Sequence, residues 1–231
     1  MNSRKSVFED MFGPGAIWTP KQEPEQSALF APEEPEPQLT PDILWASKFL
    51  SEAAHETLFA WCRDNVEWKY MELYPGGKAV PIPRGLAWFG DVPYAYSGLT
   101  HKANPMPRVL RELADLIEKQ LEANGTPAKF NSVLMNFYRD GKDSIGMHSD
   151  DESQLDAEPV IASISLGSAR KFRFQHKLTG LRLETPLPGG SLLIMKGRTQ
   201  IDWRHGVPKE PDAGPRINLT FRFTHREPCR K

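Results

Sequence analysis

The chain has 231 residues, of which 39% are apolar and 26% are charged, and its formal net charge is −1. This length favours a single domain that is large enough to bury a core. Cys62 and Cys229 are the two cysteines, too few for a disulfide scaffold or a four-cysteine zinc module, and they fit a reducing compartment. No stretch approaches the roughly 18 unbroken apolar residues that a membrane span needs. Residues 1–13 lack the apolar segment of a secretory signal.

The charge is unevenly distributed. Residues 1–41 carry three basic and seven acidic side chains, which leaves the remainder of the chain with a net charge of +3. A mildly basic body is compatible with a nucleic-acid partner. The first 41 residues also contain seven prolines, so we predict a disordered Pro/Glu-rich leader over 1–41 and a folded domain over 42–231.

A short motif in the leader resembles the bacterial sliding-clamp-binding pentapeptide. It begins with Gln26 and ends with Leu29 and Phe30. A disordered segment with an apolar anchor is suited to docking on a partner, so a sliding clamp is a candidate partner. Two apolar residues in an inert tail are the alternative.

Helices are predicted in the first half of the folded domain and strands in the second. Asp42 is a candidate N-cap for one or two amphipathic helices over residues 43–59, and residues 74–98 read as short strands and loops. A further helix is predicted over 107–123, ended by Asn124 and Gly125. The predicted strands are 132–138, 160–166, 171–176, 181–184, 191–195 and 216–223. This order indicates an α+β fold built on a β-barrel or sandwich.

The first chemical motif is the pair His148 and Asp150. Residues two apart on an extended segment point the same way, so both side chains can reach one metal ion. His205 is the best candidate for a third ligand, which would complete the two-histidine, one-carboxylate triad of non-haem Fe(II) oxygenases. Taken alone, the pair is as easily a surface turn.

The second motif is the strict alternation of residues 216–223. Arg216, Asn218, Thr220 and Arg222 share one face, and Ile217, Leu219, Phe221 and Phe223 share the other. If the apolar face packs on the core, two arginines face a common cavity and need an anion, such as a small dicarboxylate. Asn136 and Tyr138, also two apart, could add hydrogen bonds. The alternative is a solvated strand face.

These motifs resemble the AlkB family of Fe(II)/2-oxoglutarate dioxygenases, and the resemblance extends over about residues 70–225. The segments that carry it are 88–91, 94–98, 136–138, 148–152, 161–167 and 215–222. The pattern looks most like the branch of animal homologues two and three, which demethylate nucleic acids. The resemblance implies a double-stranded β-helix (jelly-roll) core with N-terminal helices. It also implies Fe(II), 2-oxoglutarate and O2 as the cofactors.

The resemblance implies a role for each matching residue. His148, Asp150 and His205 would hold Fe(II), and Arg216 with Tyr138 would bind the distal carboxylate of 2-oxoglutarate. Arg222 and Asn136 would lie near the carboxylate that chelates iron, with Asn218 supporting the pocket. Tyr94 and Tyr96 match base-pocket positions, Asp151 would favour a cationic methylated base, and Arg84 matches a position near the substrate. Each of these four residues has an alternative role. The tyrosines could pack in the core, Asp151 could lie in a solvated turn, and Arg84 could lie on the surface.

The implied function is oxidative demethylation of bases such as 1-methyladenine and 3-methylcytosine in DNA, with RNA left open. The expected location is the cytoplasm in a bacterium or the nucleus in a eukaryote, and a monomer is expected. An AlkB-like hydroxylase of tRNA or protein is the alternative within enzymes. A lesion-binding module without chemistry is the alternative outside them.

Overall fold

The computed structural model describes residues 40–96 and 99–229. The predicted leader lies outside these residues except for Thr40 and Pro41, and so does the motif from Gln26 to Phe30. Within the described part, no helix is both long enough and apolar enough to cross a membrane.

The described chain consists mainly of strands, with three α-helices between them. The helices are α1 (Glu52–Asn65), α2 (Arg108–Ala123) and the single turn α3 (Thr199–Asp202), with a short 3-10 helix at Pro75–Gly77. The strands are β1 (Ile43–Ala46), β2 (Glu72–Leu73), β3 (Val80–Pro81), β4 (Gly85–Gly90), β5 (Tyr94–Tyr96), β6 (Leu99–His101), β7 (Ser132–Tyr138), β8 (Ile145–His148), β9 (Ile161–Gly167), β10 (Arg170–His176), β11 (Arg182–Leu187), β12 (Leu192–Met195), β13 (Trp203–Val207) and β14 (Arg216–Arg222).

Two antiparallel sheets form the body of the molecule. The major sheet has the order β1-β12-β9-β14-β7-β4, and the minor sheet has the order β11-β10-β13-β8. β2 pairs with β3, and β5 pairs with β6, as separate two-stranded ribbons. This arrangement confirms the predicted double-stranded β-helix with helices N-terminal to most of its strands.

The alternation of apolar and polar residues in β14 determines which face of the major sheet packs on the apolar core. Ile217, Leu219 and Phe221 are fully buried in one apolar cluster with side chains of α1 and α2. The polar side chains of β14 point to the opposite side, where the minor sheet lies. Phe223 departs from the prediction, because β14 ends at Arg222 and Phe223 is 40% exposed.

Helix α2 confirms the helix predicted over 107–123. Leu110, Leu113 and Ile117 lie on its buried face, at the spacing of three and four residues that aligns side chains along one stripe. The turn after the helix places Gly125 at φ 72°, a left-handed conformation that suits glycine.

The prediction of helix from Asp42 through residue 59 was wrong in its first part. Residues 43–46 form β1, which pairs with β12 so that Ile43 lies opposite Met195. The carbonyl of Asp42 accepts a hydrogen bond from the Lys196 N–H, so Asp42 continues this edge pairing and caps no helix. The helix begins at Glu52, because the Ser51 hydroxyl accepts from the Ala54 N–H at 3.3 Å.

Gly141 supports a prediction about stability. Its carbonyl accepts from the Glu210 N–H at 2.8 Å, and a Cβ added at Gly141 would overlap the carbonyl oxygen of Glu210. We expect Gly141→Ala to lower the free energy of unfolding by about 1–3 kcal/mol, measured by urea denaturation. Gly146→Ala is the control, because an added Cβ there meets no atom within 4 Å. Equal unfolding midpoints for the two variants would contradict the clash.

Candidate active site

A cavity lies between the major and minor sheets. The cavity has an empty volume of about 430 Å³, part of which is open to solvent. Polar side chains from several strands line it: Asn136, Tyr138, His148, Asp150, His205, Arg216, Asn218, Thr220 and Arg222. Most of the residues predicted to bind the metal or the cosubstrate therefore line the same cavity.

His148, Asp150 and His205 converge at one end of the cavity. His148 ends β8, and it lies directly opposite His205 in the pairing of β8 with β13. The Nε2 atoms of His148 and His205 lie 3.5 Å and 3.9 Å from Oδ1 of Asp150. Potential ligand atoms of the three residues all lie within 4.8 Å of one another. Neither β8 nor β13 was predicted as a strand, yet their pairing brings the two histidines together.

Hydrogen bonding and burial set the state of the two imidazoles. Nδ1 of His148 lies 2.9 Å from the carbonyl of Gly146, and because a carbonyl only accepts, Nδ1 is the protonated nitrogen. His205 is stacked on Phe172 with ring centroids 5.3 Å apart. Burial first, and the charge of His148 second, lower the pKa of His205 to about 3. His205 is therefore neutral, which is the state that binds metal.

Asp150 is held as a carboxylate by its partners. Burial by itself would raise its pKa, but the Arg222 cation and the neighbouring histidines outweigh burial and hold the pKa of Asp150 well below its usual range. Arg222 donates to Oδ2 at 2.8 Å, and the backbone N–H of Asp150 donates to Oε1 of Gln200 at 2.9 Å. Oδ1 is buried and has no hydrogen-bond partner among the described residues.

The three donors fit Fe(II). Two imidazole nitrogens and one carboxylate oxygen on one side of an ion are the facial arrangement of non-haem iron oxygenases. The buried Oδ1 of Asp150 points toward both Nε2 atoms without a hydrogen bond of its own, and a cation would supply the missing partner.

Arg216 lies in the same cavity and is 1% exposed. Its Nη2 donates to the Ser165 hydroxyl at 2.8 Å, and its guanidinium lies over the Tyr138 ring at 5.2 Å. Its Nε and Nη1 have no hydrogen-bond partner in the described part of the chain. Burial lowers the pKa of Arg216, yet guanidinium stays charged at neutral pH. A buried cation with two open donors is a receptor for a carboxylate.

The remaining polar residues of the cavity support one another. Oδ1 of Asn136 accepts from Nε of Arg84 at 2.7 Å, and Arg84 is only 5% exposed. The alternative that Arg84 is a surface arginine is therefore wrong, because its side chain is buried against Asn136. Nδ2 of Asn218 donates to the Ser163 hydroxyl at 2.7 Å, and the Thr220 hydroxyl donates to Oδ1 of Asn218 at 2.9 Å.

The predicted base-contacting residues are described less fully. Asp151 is exposed and follows the buried Asp150 directly. Tyr94 and Tyr96 lie on β5, in backbone register with His101 and Leu99 of β6, and their side chains lie outside the described part. A base pocket formed by these residues stays a prediction.

The contact of Gln200 with Asp150 was missed by sequence reasoning, because the two residues are 50 positions apart. Oε1 of Gln200 holds the backbone N–H of Asp150 at 2.9 Å, and its Nε2 lies 3.6 Å from the Met195 sulfur. We expect Gln200→Ala to weaken Fe(II) binding about 10- to 100-fold, since it frees the backbone that positions Asp150. The measurement is metal titration under argon. The neighbouring Ile201→Ala, at a side chain that is 37% exposed, should bind iron as the parent does.

The fold and the donor set of the cavity are those expected of an oxygenase that binds iron and 2-oxoglutarate. The model of the 2OG-Fe(II) oxygenase superfamily matches residues 42–222, and the chain belongs to that superfamily. A solved structure described as OsALKBH1 has the same fold, with a TM-score of 0.58 at 18% identity, covering 80% of this chain and 99% of that one.

The relatives by sequence are AlkB homologues. The chain is 45% identical over 179 residues to alpha-ketoglutarate-dependent dioxygenase alkB homolog 3 of Mus musculus, covering 72% of this chain and 60% of the relative. It is 40% identical over 159 residues to DNA oxidative demethylase ALKBH2 of Homo sapiens, covering 63% and 58%. The chain thus spans about three-fifths of the length of these curated relatives. The resemblance to the AlkB family is confirmed.

Proposed function

We propose that the protein is an Fe(II)/2-oxoglutarate-dependent demethylase that repairs N-alkylated bases such as 1-methyladenine and 3-methylcytosine in DNA, with RNA as a second substrate. One observation carries the proposal: the histidine–carboxylate group and the open donors of Arg216 face the same buried cavity. The relative named DNA oxidative demethylase ALKBH2 supports DNA as the substrate and demethylation as the reaction.

The first role of the chain is to hold the metal. Nε2 of His148, Oδ1 of Asp150 and Nε2 of His205 are the proposed ligands, which leaves the other coordination positions for 2-oxoglutarate and O2. With Fe(II) bound, the site would use O2 to oxidise the methyl carbon: one oxygen atom would go to that carbon and the other to succinate, as 2-oxoglutarate loses carbon dioxide.

The second role is to orient 2-oxoglutarate. Nε and Nη1 of Arg216 would pair with its distal carboxylate, and the Tyr138 hydroxyl would add a hydrogen bond. Arg222 and Asn136 line the cavity and would lie near the carboxylate at the metal, with Asn218 supporting them. Because Arg222 also binds Asp150, it would link the cosubstrate to the metal ligand.

The third role is to select the base. Tyr94 and Tyr96 would form the aromatic wall for a base that has left its stack. A methylated cationic base also favours a nearby carboxylate, which Asp151 would supply. Arg84 would lie near the substrate, and because its Nε donates to Oδ1 of Asn136, it would also position that amide. The hydroxylated N-methyl group then breaks down to formaldehyde and the restored base.

A single assay tests the function. Iron-loaded protein, 2-oxoglutarate and O2 are incubated with 3-methylcytosine in single-stranded DNA, duplex DNA and RNA of matched sequence. We expect formaldehyde and restored cytosine in equal amounts. Succinate formation without repair would point to a hydroxylase of tRNA or protein. Lesion binding without succinate would point to a module without chemistry.

Further parts of the proposal concern partners and location. We propose that residues 42–231 form one catalytic domain, active as a monomer in the bacterial cytoplasm or the eukaryotic nucleus. The leader of residues 1–41 would dock on a sliding clamp through the motif from Gln26 to Phe30. A peptide spanning residues 25–31 should bind purified clamp. Equal binding by a peptide carrying Leu29→Ala and Phe30→Ala would refute this docking.

A further inference from the structure

A second group of metal-ligating side chains lies outside the cavity. Asp156, His225 and Cys229 each offer a ligand atom, and these atoms all lie within 4.8 Å of one another. Asp156 belongs to the loop of residues 149–160 between β8 and β9, whereas His225 and Cys229 follow β14 near the end of the chain. We propose that these three residues bind Zn²⁺ at a site that tethers the C-terminal segment to this loop.

Backbone hydrogen bonds hold the two segments together. The N–H of His225 donates to the carbonyl of Gln154 at 2.8 Å, and the N–H of Cys229 donates to the carbonyl of Ser153 at 2.7 Å. Both proposed C-terminal ligands are thus anchored at their own backbone against the segment that leads to Asp156. This pre-organisation lowers the entropic cost of closing a metal site.

The chemistry of the three side chains suits zinc. Thiolate, imidazole and carboxylate are its usual protein ligands, and a site with three of them leaves a fourth position for water. Nε2 of His225 already lies 2.9 Å from Oδ1 of Asp156, and the imidazole packs edge-on against Phe223 with ring centroids 5.0 Å apart. Tetrahedral zinc places ligand atoms roughly 3.5 Å apart, so small side-chain rotations would complete the site.

The two cysteines of the chain differ in accessibility. Cys229 is a free, half-buried thiol, so a metal ion can reach its sulfur. Cys62 is fully buried in the apolar cluster under α1, and burial raises the pKa of its thiol far above the usual range. Cys62 is therefore an internal control for any thiol-specific measurement.

The site would act on the loop that carries Asp150 and Asp151. Nε2 of Gln154 donates to the carbonyl of Pro93 at 3.0 Å and to that of His225 at 3.2 Å, which joins the C-terminal segment to the chain just before β5. The same loop begins with the metal ligand Asp150 and the exposed Asp151. A zinc ion on Asp156, His225 and Cys229 would therefore stiffen the loop that carries these acids.

Cobalt substitution tests the site by spectroscopy, independently of activity. The full chain is stripped of metal and titrated with Co²⁺ under argon, and bound metal is counted by mass spectrometry. We expect two equivalents per chain and the near-ultraviolet band that arises only from a cobalt–thiolate bond. The His148, Asp150 and His205 group contains no thiol, so it cannot produce this band.

Matched variants assign the band. Cys229→Ser should lose the band and one equivalent, and Zn²⁺ affinity at this site should fall on the order of 100-fold. Cys62→Ala should keep both, and His148→Ala should lose one equivalent yet keep the band. One equivalent without a band in the parent protein, or a band that persists in Cys229→Ser, would overturn the proposal.

Discussion

Replacing His205 by alanine is expected to abolish formaldehyde release from a 3-methylcytosine oligonucleotide, a loss of at least about 10³-fold in turnover. The imidazole is buried and neutral, and its Nε2 lies 3.9 Å from Oδ1 of Asp150, which has no hydrogen-bond partner among the described residues. Without it, two donors remain, and iron would be bound weakly and in the wrong geometry. The measurement pairs the formaldehyde assay with the iron content of the same sample.

Two further variants make this result interpretable. His148→Ala removes a ligand whose side chain is 24% exposed, so its loss should disturb folding less than the loss of His205. His176→Gln is the matched control, because His176 lies on β10 outside the cavity lining and hydrogen-bonds within its own turn. Full turnover in either ligand variant with verified iron content would refute the assignment.

The second large effect is expected at Arg216. Replacing it by methionine keeps most of the side-chain volume beside Tyr138 but removes the buried charge. Losing one partner of a buried carboxylate pair costs about 2–5 kcal/mol, so we expect the KM for 2-oxoglutarate to rise about 100-fold or more. The KM for the oligonucleotide should change far less, because the guanidinium lies deep in the cavity.

Succinate formation at varied 2-oxoglutarate measures this effect directly. Arg173→Met is the matched control, because the Arg173 side chain is 49% exposed and pairs with Glu184 on the neighbouring strand. A larger rise in the oligonucleotide KM than in the 2-oxoglutarate KM would place the cosubstrate elsewhere.

The strands of the core were largely predictable, because each carries its own local pattern. Ser132–Tyr138 was predicted with its exact bounds, and the β14 prediction extended one residue too far, to Phe223. The pattern fails in two short strands of the minor sheet. Residues 145–148 and 203–207 alternate weakly, and the strands β8 and β13 are held by pairing with each other and with β10.

The residue types of the proposed site were readable from local pattern, because the spacing of His148 and Asp150 and the alternation of β14 depend only on the extended backbone. Tertiary structure alone decided the partners of these groups. Arg222 reaches Asp150 over 72 positions, Arg84 reaches Asn136 over 52, and Gln200 reaches Asp150 over 50. Such contacts depend on strand order and register, and β1 shows the same principle, since pairing with β12 overrides the helical tendency of residues 43–46. The local sequence pattern indicates which residues share a face of a strand, whereas the packing of the two sheets determines which of these faces contact each other.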